Sequence, residues 1–319
     1  MKNKCIIITG GAGFIGSNLV RALEKYNTVK VIDNLSTGYL KNIKDLINNT
    51  KIEFIKGNIT NLNFLQKTFK DVDYVFHLAA IPSVPRSIIN PIKSNHANIN
   101  GTLNVLIAAK DNNVKKVIYS SSSSVYGDTP TLPKKEDMKP CPLSPYAVGK
   151  LTSEYYCQVF TEVYYLPTIC LRYFNVYGPH QDKKSEYAAV IPKFITSVLN
   201  NNSPVIFGNG KQTRDFTFVK DAVNANILAA KSKETGVFNI AYGKRISINK
   251  LAKSIMNIIG KQIKPKYTAP RSGDILHSLA DISKAKRKLG YVPKIEIKEG
   301  LEETITWFQK QIWKHLTSA

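Results

Sequence analysis

The sequence predicts an α/β protein built on a doubly wound parallel sheet, with a smaller C-terminal substrate-binding lobe. Three observations predict it. Short β-branched runs alternate with longer amphipathic stretches, several of the runs are apolar throughout, and a glycine-rich turn follows the first of them. A strand covered on both faces by crossover helices needs no polar alternation, so continuous apolar runs favour a parallel sheet. Ligands of such sheets sit beyond the carboxyl ends of the strands.

Taken in order, strands are expected at 5–9, 29–33, 52–56, 74–78, 116–121 and 168–172. A helix should open at the glycine turn. The stretch 95–110 carries Ile99, Leu103, Leu106 and Ile107 at helical spacing, and 146–165 reads as a second long helix. Beyond residue 178 the rhythm loosens: Gly208-Asn209-Gly210 and 265–273 are loop-like, whereas 221–231, 248–259 and 300–313 read as helices. At 319 residues the chain exceeds the usual single-domain size. The expected division is a dinucleotide-binding domain over 1–178, rejoined by some later segments, and a second lobe mainly over 179–319.

The 45 Lys and Arg against 23 Asp and Glu give a formal charge of +22, which first suggests a nucleic-acid binder. The excess is spread over both halves without a basic tail or arginine-rich helix, so an anionic small ligand fits better and no nucleic acid is expected. Cys5, Cys141, Cys157 and Cys170 form no CxxC pair, which argues against a metal site or a disulfide framework. The apolar stretch from Cys5 to Ile8 stops at Thr9, too short for a signal or a membrane span. A cytoplasmic protein without membrane association is the expectation.

The glycine turn reads Thr9-Gly10-Gly11-Ala12-Gly13-Phe14-Ile15-Gly16. Between a strand and a helix, Gly10, Gly13 and Gly16 let the backbone tighten and approach a pyrophosphate, which rests on the positive end of the helix. Asp33 ends the second strand seventeen residues after Gly16, where a carboxylate accepts ribose hydroxyls and repels a 2'-phosphate. NAD is therefore favoured over NADP. Five serines, Ser120 to Ser124, precede Tyr146 and Lys150 in YxxxK spacing. On a helix Tyr146 and Lys150 share a face, so an ammonium can favour the ionised phenol and a serine hydroxyl can share a substrate proton.

The motifs TGGAGFIGSNLV, VIDNLSTG, HLAA, NINGT, SSSSVYGD, SPYAVGK, LRYFNVYGP, GNGKQTRDF and RSGD follow one another along the chain. In this order they resemble extended short-chain dehydrogenase/reductases with a Rossmann domain, specifically the UDP-hexose 4-epimerases, over nearly the whole length. The resemblance implies Ser122, Tyr146 and Lys150 as the catalytic set, working through a 4-keto intermediate on tightly held NAD. It implies further cofactor contacts at Phe14, Ile15, Asn34, Ser36, Thr37, Gly38, Asn58, Ile59, Leu78, Ala79, Ala80, Asn98 and Tyr173. For a UDP-sugar it implies Ser123, Ser124, Asn175, Ala189, Val190, Lys193, Val205, Phe207, Arg214, Arg271, Asp274 and Ser278, and it implies a homodimer.

Two positions depart from the family's commonest pattern. Asn58 stands where an aspartate is usual near adenine, and Pro82 where some members carry a cofactor-contacting lysine. The stretch 181–193 resembles the branch acting on UDP-N-acetylhexosamines, and Ser278 at the pocket-closing position leaves volume for an acetamido group. UDP-N-acetylglucosamine is the expected substrate, with UDP-glucose or the N-acetylhexosaminuronate as alternatives. A 4,6-dehydratase needs carboxylates where Ser123 and Ser124 stand, and a non-catalytic NAD-binding protein needs no intact Tyr, Lys and Ser set.

Overall fold

The computed structural model describes residues 1–182, 189–270 and 275–316. In chain order the elements of the first half are β1 (Cys5–Thr9), α1 (Phe14–Leu23), β2 (Thr28–Asp33), β3 (Ile52–Lys56), α2 (Leu62–Thr68), β4 (Tyr74–His77), α3 (Val84–Ile89), α4 (Pro91–Asn95), α5 (Gly101–Asp111), β5 (Lys116–Ser122), α6 (Pro145–Tyr164) and β6 (Thr168–Tyr173). There follow β7 (Val176–Tyr177), α7 (Val190–Leu199), β8 (Val205–Phe207), β9 (Thr213–Asp215), β10 (Thr217–Phe218), α8 (Val219–Lys231), β11 (Gly236–Ile240), β12 (Arg245–Ser247), α9 (Ile248–Ile259), β13 (Lys266–Thr268), α10 (Ser283–Leu289) and α11 (Ile297–Leu316).

Seven parallel strands form the central sheet in the order β11-β6-β5-β4-β1-β2-β3. The order reverses between β1 and β4, which opens a crevice at their carboxyl ends. Alternate side chains of one strand feed opposite cores. Ile6 and Ile8 join one cluster with Val29, Val31, Ile118 and Ala222, while Ile7 joins another with Ile32, Val75, Val117 and Cys157. Every one of these is buried to 0% exposure, so the apolar runs are covered on both faces as the parallel-sheet reading requires.

The six expected strands agree with the structure to within one residue at each end. The seventh, β11, is absent from the sequence reading because Gly236 and Asn239 dilute a five-residue run. It survives as an edge because side chains cover it: Lys284 Nζ donates to the Val237 carbonyl at 2.9 Å, and the Asn239 N–H donates to Glu136 Oε1 at 2.8 Å. The expected helix over 95–110 is also more complex. It starts earlier, at Pro91 in α4, and passes through one wide π-turn, His96–Asn100, before α5. The turn includes Asn98, whose side chain reaches Ile81.

Candidate active site

A cavity of about 560 Å³ lies at the crevice. Gly10 and Gly16 shape its floor. Gly10 has φ +72°, and a Cβ there would lie 2.6 Å from the Ala79 nitrogen; a Cβ on Gly16 would lie 2.2 Å from the Gly10 carbonyl oxygen. Both close approaches are to backbone, so neither site admits a side chain without moving the turn. The N-cap of α1, Gly13, supplies no side-chain acceptor, and Gly13, Phe14, Ile15 and Gly16 all line the cavity at the positive helix end.

Asp33 is 7% exposed. Its two oxygens accept the Ala12 and Leu35 N–H groups at 3.0 and 2.8 Å, and burial raises its pKa. Two acceptor sites of the carboxylate remain. Asn34, Ser36, Thr37, Gly38, Asn58, Ile59, Leu78, Ala79, Ala80 and Tyr173 line the same cavity, and so does Pro82. Asn98 is not among the lining residues. It is buried behind the wall, accepting the Ile81 N–H at 2.7 Å and donating to the Ile81 carbonyl at 3.1 Å, so it shapes the cavity through Ile81. Sequence reasoning missed Tyr39, Ser83, Arg86, Lys93, His96 and His180 on this wall. No spacing pattern marks them, because separate loops and short helical segments bring them together.

Tyr146 stands in the first turn of α6, where Ser144 caps the helix by accepting the Ala147 N–H at 3.2 Å and Pro145 takes the first helical position. The Tyr146 N–H donates to Ser87 Oγ at 3.0 Å, which ties α6 to α3. One turn on, Lys150 is 4% exposed and donates through Nζ to the Ser120 carbonyl at 2.6 Å. Its Nζ lies 5.8 Å from the Tyr146 ring centroid and 4.8 Å from that of Tyr119. Burial pushes the Lys150 pKa down to about 8, against the pull of Glu154.

Burial raises the Tyr146 pKa, and the countering influence is the hydrogen bond with the Ser122 hydroxyl. The Lys150 ammonium is seated closer to the Tyr119 ring and the Ser120 carbonyl than to the Tyr146 ring. Tyr146, Lys150, Ser120 and Ser121 line the cavity, whereas Ser122, Ser123 and Ser124 are not among its lining residues. The Ser122 hydroxyl also accepts the Ser124 N–H at 3.2 Å.

A second cavity of about 330 Å³ adjoins the first, and Ala189 lines both. Asn175, Val190, Lys193, Val205, Phe207 and Arg214 are all brought together here. Asn175 has φ +37° and donates through its amide to the Asp215 carbonyl at 3.0 Å. Asp215 itself is fully buried, and burial pushes its pKa up to about 7. It accepts N–H groups from Tyr242, Gly243 and Ala280, which pins the loops behind Arg214 and Phe216. Ser278 is 9% exposed, its N–H donates to the Thr213 carbonyl at 3.1 Å, and it is not among the described residues that line either cavity. Arg271 and Asp274 lie outside the described residues, as do 183–188.

The sequence profile of the NAD dependent epimerase/dehydratase family matches residues 6–241. The chain belongs to that family. Among solved structures it is similar to a UDP-N-acetylglucosamine 4-epimerase from Methanobrevibacter ruminantium M1 in complex with UDP-N-acetylmuramic acid, with 49% identity, a TM-score of 0.95, and 98% of this chain and 100% of that one covered. It is also similar to UDP-glucuronic acid 4-epimerase from Bacillus cereus in complex with UDP-glucuronic acid and NAD, with 35% identity, a TM-score of 0.89, and 96% and 99% covered. The UDP-glucose 4-epimerase of Mycolicibacterium smegmatis is 37% identical over 310 residues, 96% of this chain and 98% of that protein. NAD is the family's cofactor, and the epimerase's first cavity fits it: a glycine floor that a Cβ would fill, an uncapped helix start, and a carboxylate ending β2. No described helix is long and apolar enough to cross a membrane.

Proposed function

We propose that this NAD-dependent UDP-sugar 4-epimerase interconverts UDP-N-acetylglucosamine and UDP-N-acetylgalactosamine in the cytoplasm. The observation that carries the sugar assignment is the 49% identity, over 98% of the chain, to a UDP-N-acetylglucosamine 4-epimerase. The methyl side chain of Ala189, where the two cavities meet, supports it by leaving volume for an acetamido group.

In this reading the first-turn N–H groups of α1 hold the NAD pyrophosphate, Asp33 accepts ribose hydroxyls, and Asn58 and Ile59 border the adenine. Arg214 and Lys193 meet the diphosphate, Arg by its planar fork and Lys as a point charge. The Val205 and Phe207 backbone borders uracil. Bound NAD would supply reversible hydride chemistry at the sugar C4 and a positive ring charge near the phenol. Tyr146 Oη takes the C4 hydroxyl proton and gives it back. Ser122, hydrogen-bonded to that phenol, shares the proton. Because burial raises the phenol, positive charge is needed for it to ionise near neutral pH, and Lys150 one turn away supplies the chain's share.

The homodimer belongs to the same reading. α6 buries Lys150, Ser153, Glu154 and Cys157 on one side, yet Val148, Tyr155, Val159 and Val163 are 45–59% exposed on the other. An apolar stripe left on the outer face of a helix whose other face is already buried fits burial against a second copy. Sedimentation of Val159→Glu should then give a monomer where the wild type is a dimer.

The deciding experiment is incubation with UDP-glucose, UDP-N-acetylglucosamine and its uronate, with C4 epimers resolved by NMR. Turnover of the N-acetyl sugar well above the others is the expected result; preference for UDP-glucose would transfer the assignment to that sugar.

A further inference from the structure

Lys150 carries a charge into a place that penalises it. An ammonium has three donors, and a buried one must be compensated by acceptors or by an attractive field. The Ser120 carbonyl takes one donor at 2.6 Å. The next feature of the seat is the aromatic face of Tyr119, 4.8 Å from Nζ, closer than the Tyr146 ring at 5.8 Å. Tyr119 and Ser120 are consecutive in β5, so one strand supplies both contacts. Tyr119 is 1% exposed and packs in the same core as Cys157 and Cys170.

The charged and titratable groups around this seat come from every element packed on it. From α6 they are Tyr146, Glu154 and Cys157, and from β6 they are Cys170 and Arg172. Glu154 is held by Arg172 through two bonds, at 2.9 and 2.7 Å, and accepts the Ser121 hydroxyl. β4 contributes His77, whose ring lies 5.6 Å from that of Tyr119. Thr9 and Thr102 bond both His77 nitrogens, at 2.7 and 2.9 Å, and burial pushes its pKa down to about 3, so it adds no competing cation. Within the described chain, the attraction for the ammonium comes from the Glu154 carboxylate, already shared, and from the π faces of Tyr119 at 4.8 Å and, farther off, Tyr146 at 5.8 Å.

We propose that Tyr119 is a positioning residue for the Tyr146 and Lys150 pair: its ring face keeps the Lys150 ammonium charged and seated on the Ser120 carbonyl, one helical turn from the Tyr146 phenol. This rests on the reading of Lys150 as the charge partner of Tyr146. The role belongs to the ring, and the hydroxyl has no part in it.

The test uses the full-length enzyme with its NAD. The protonation of Lys150 is followed by 13Cε NMR of lysine-labelled protein, with the signal assigned by its loss in Lys150→Arg, and kcat and KM are measured across pH. Tyr119→Phe should leave the Lys150 midpoint in place. Tyr119→Leu, and 3,4,5-trifluorophenylalanine at position 119, which keeps the ring's shape but cancels its negative face, should each lower it by about one pH unit. The basic limb of kcat should descend with it, and KM for the UDP-sugar should stay unchanged. Should Tyr119→Leu fail to fold, the fluorinated ring decides alone. An unmoved midpoint with the fluorinated ring overturns the proposal, as does a Tyr119→Phe that shifts as far as Tyr119→Leu. A midpoint that falls while the kcat limb stays put supports the seat and refutes the reading of Lys150 in the reaction.

Discussion

Gly16→Ala is the substitution on which the cofactor site can be judged most directly. The added methyl carbon would lie 2.2 Å from the Gly10 carbonyl oxygen, 2.8 Å from the Gly11 Cα and 2.9 Å from the Gly10 carbonyl carbon. All three are backbone atoms, so no side-chain rotation relieves the clash. The Gly10 turn must retreat by about 1 Å to reach ordinary contact distance. It is held by the Gly10 N–H to the Ile32 carbonyl at 2.8 Å and the Gly13 N–H to the Gly10 carbonyl at 3.0 Å, both of which would be distorted. Forcing a methyl into packed surroundings costs ~1–3 kcal/mol. Expressed against the bound cofactor, that range corresponds to roughly 5- to 150-fold in NAD affinity. The assay is the NAD released per subunit on denaturation, with titration of cofactor-stripped protein and a thermal melt beside it. Gly149→Ala is the internal control, since a Cβ there meets nothing nearer than 3.5 Å and α6 gains about 0.5–1 kcal/mol from losing a glycine. A Gly16→Ala protein that keeps stoichiometric NAD and melts with the wild type would refute the argument that this glycine shapes the site.

Other outcomes follow from the same geometry. Tyr146→Phe removes a proton acceptor and little volume, so turnover should fall ~10²–10⁴-fold while UDP-sugar affinity, read by calorimetry, is retained; near wild-type turnover would sink the mechanism. Asp215→Ala leaves the Tyr242, Gly243 and Ala280 N–H groups without their acceptor, each at about 1–3 kcal/mol, so denaturant unfolding should show a large loss of stability. Burial raises Asp215 from 3.8 to about 7, so the folded state takes up a proton that the unfolded chain releases across that interval. The group's contribution to stability therefore falls as pH rises from about 4 to about 7, and Asp215→Ala should lose that slope when unfolding is measured across pH.

The sequence by itself determined whatever depends on neighbours within a turn or a strand. Apolar runs such as Ile6-Ile7-Ile8 specify a strand buried on both faces wherever it lands. The Ser144-Pro145 start places Tyr146 in the first turn of α6 and Lys150 one turn on. The glycines at 10, 13 and 16 were legible for the same reason, being spaced along one continuous turn. Tertiary structure alone decided contacts between segments far apart in the chain, and the energies that burial sets. Asn98 belongs to the NINGT motif, yet its amide turns to Ile81. Ser278 pairs through its N–H with the Thr213 carbonyl, because loop pairing fixes its place and composition does not. Spacing could put an ammonium beside a phenol, but only packing could seat it on the Ser120 carbonyl and the Tyr119 face, and only burial could raise the phenol's pKa. Desolvation is a property of everything that surrounds a group, and a sequence names those surroundings without saying which of them arrive.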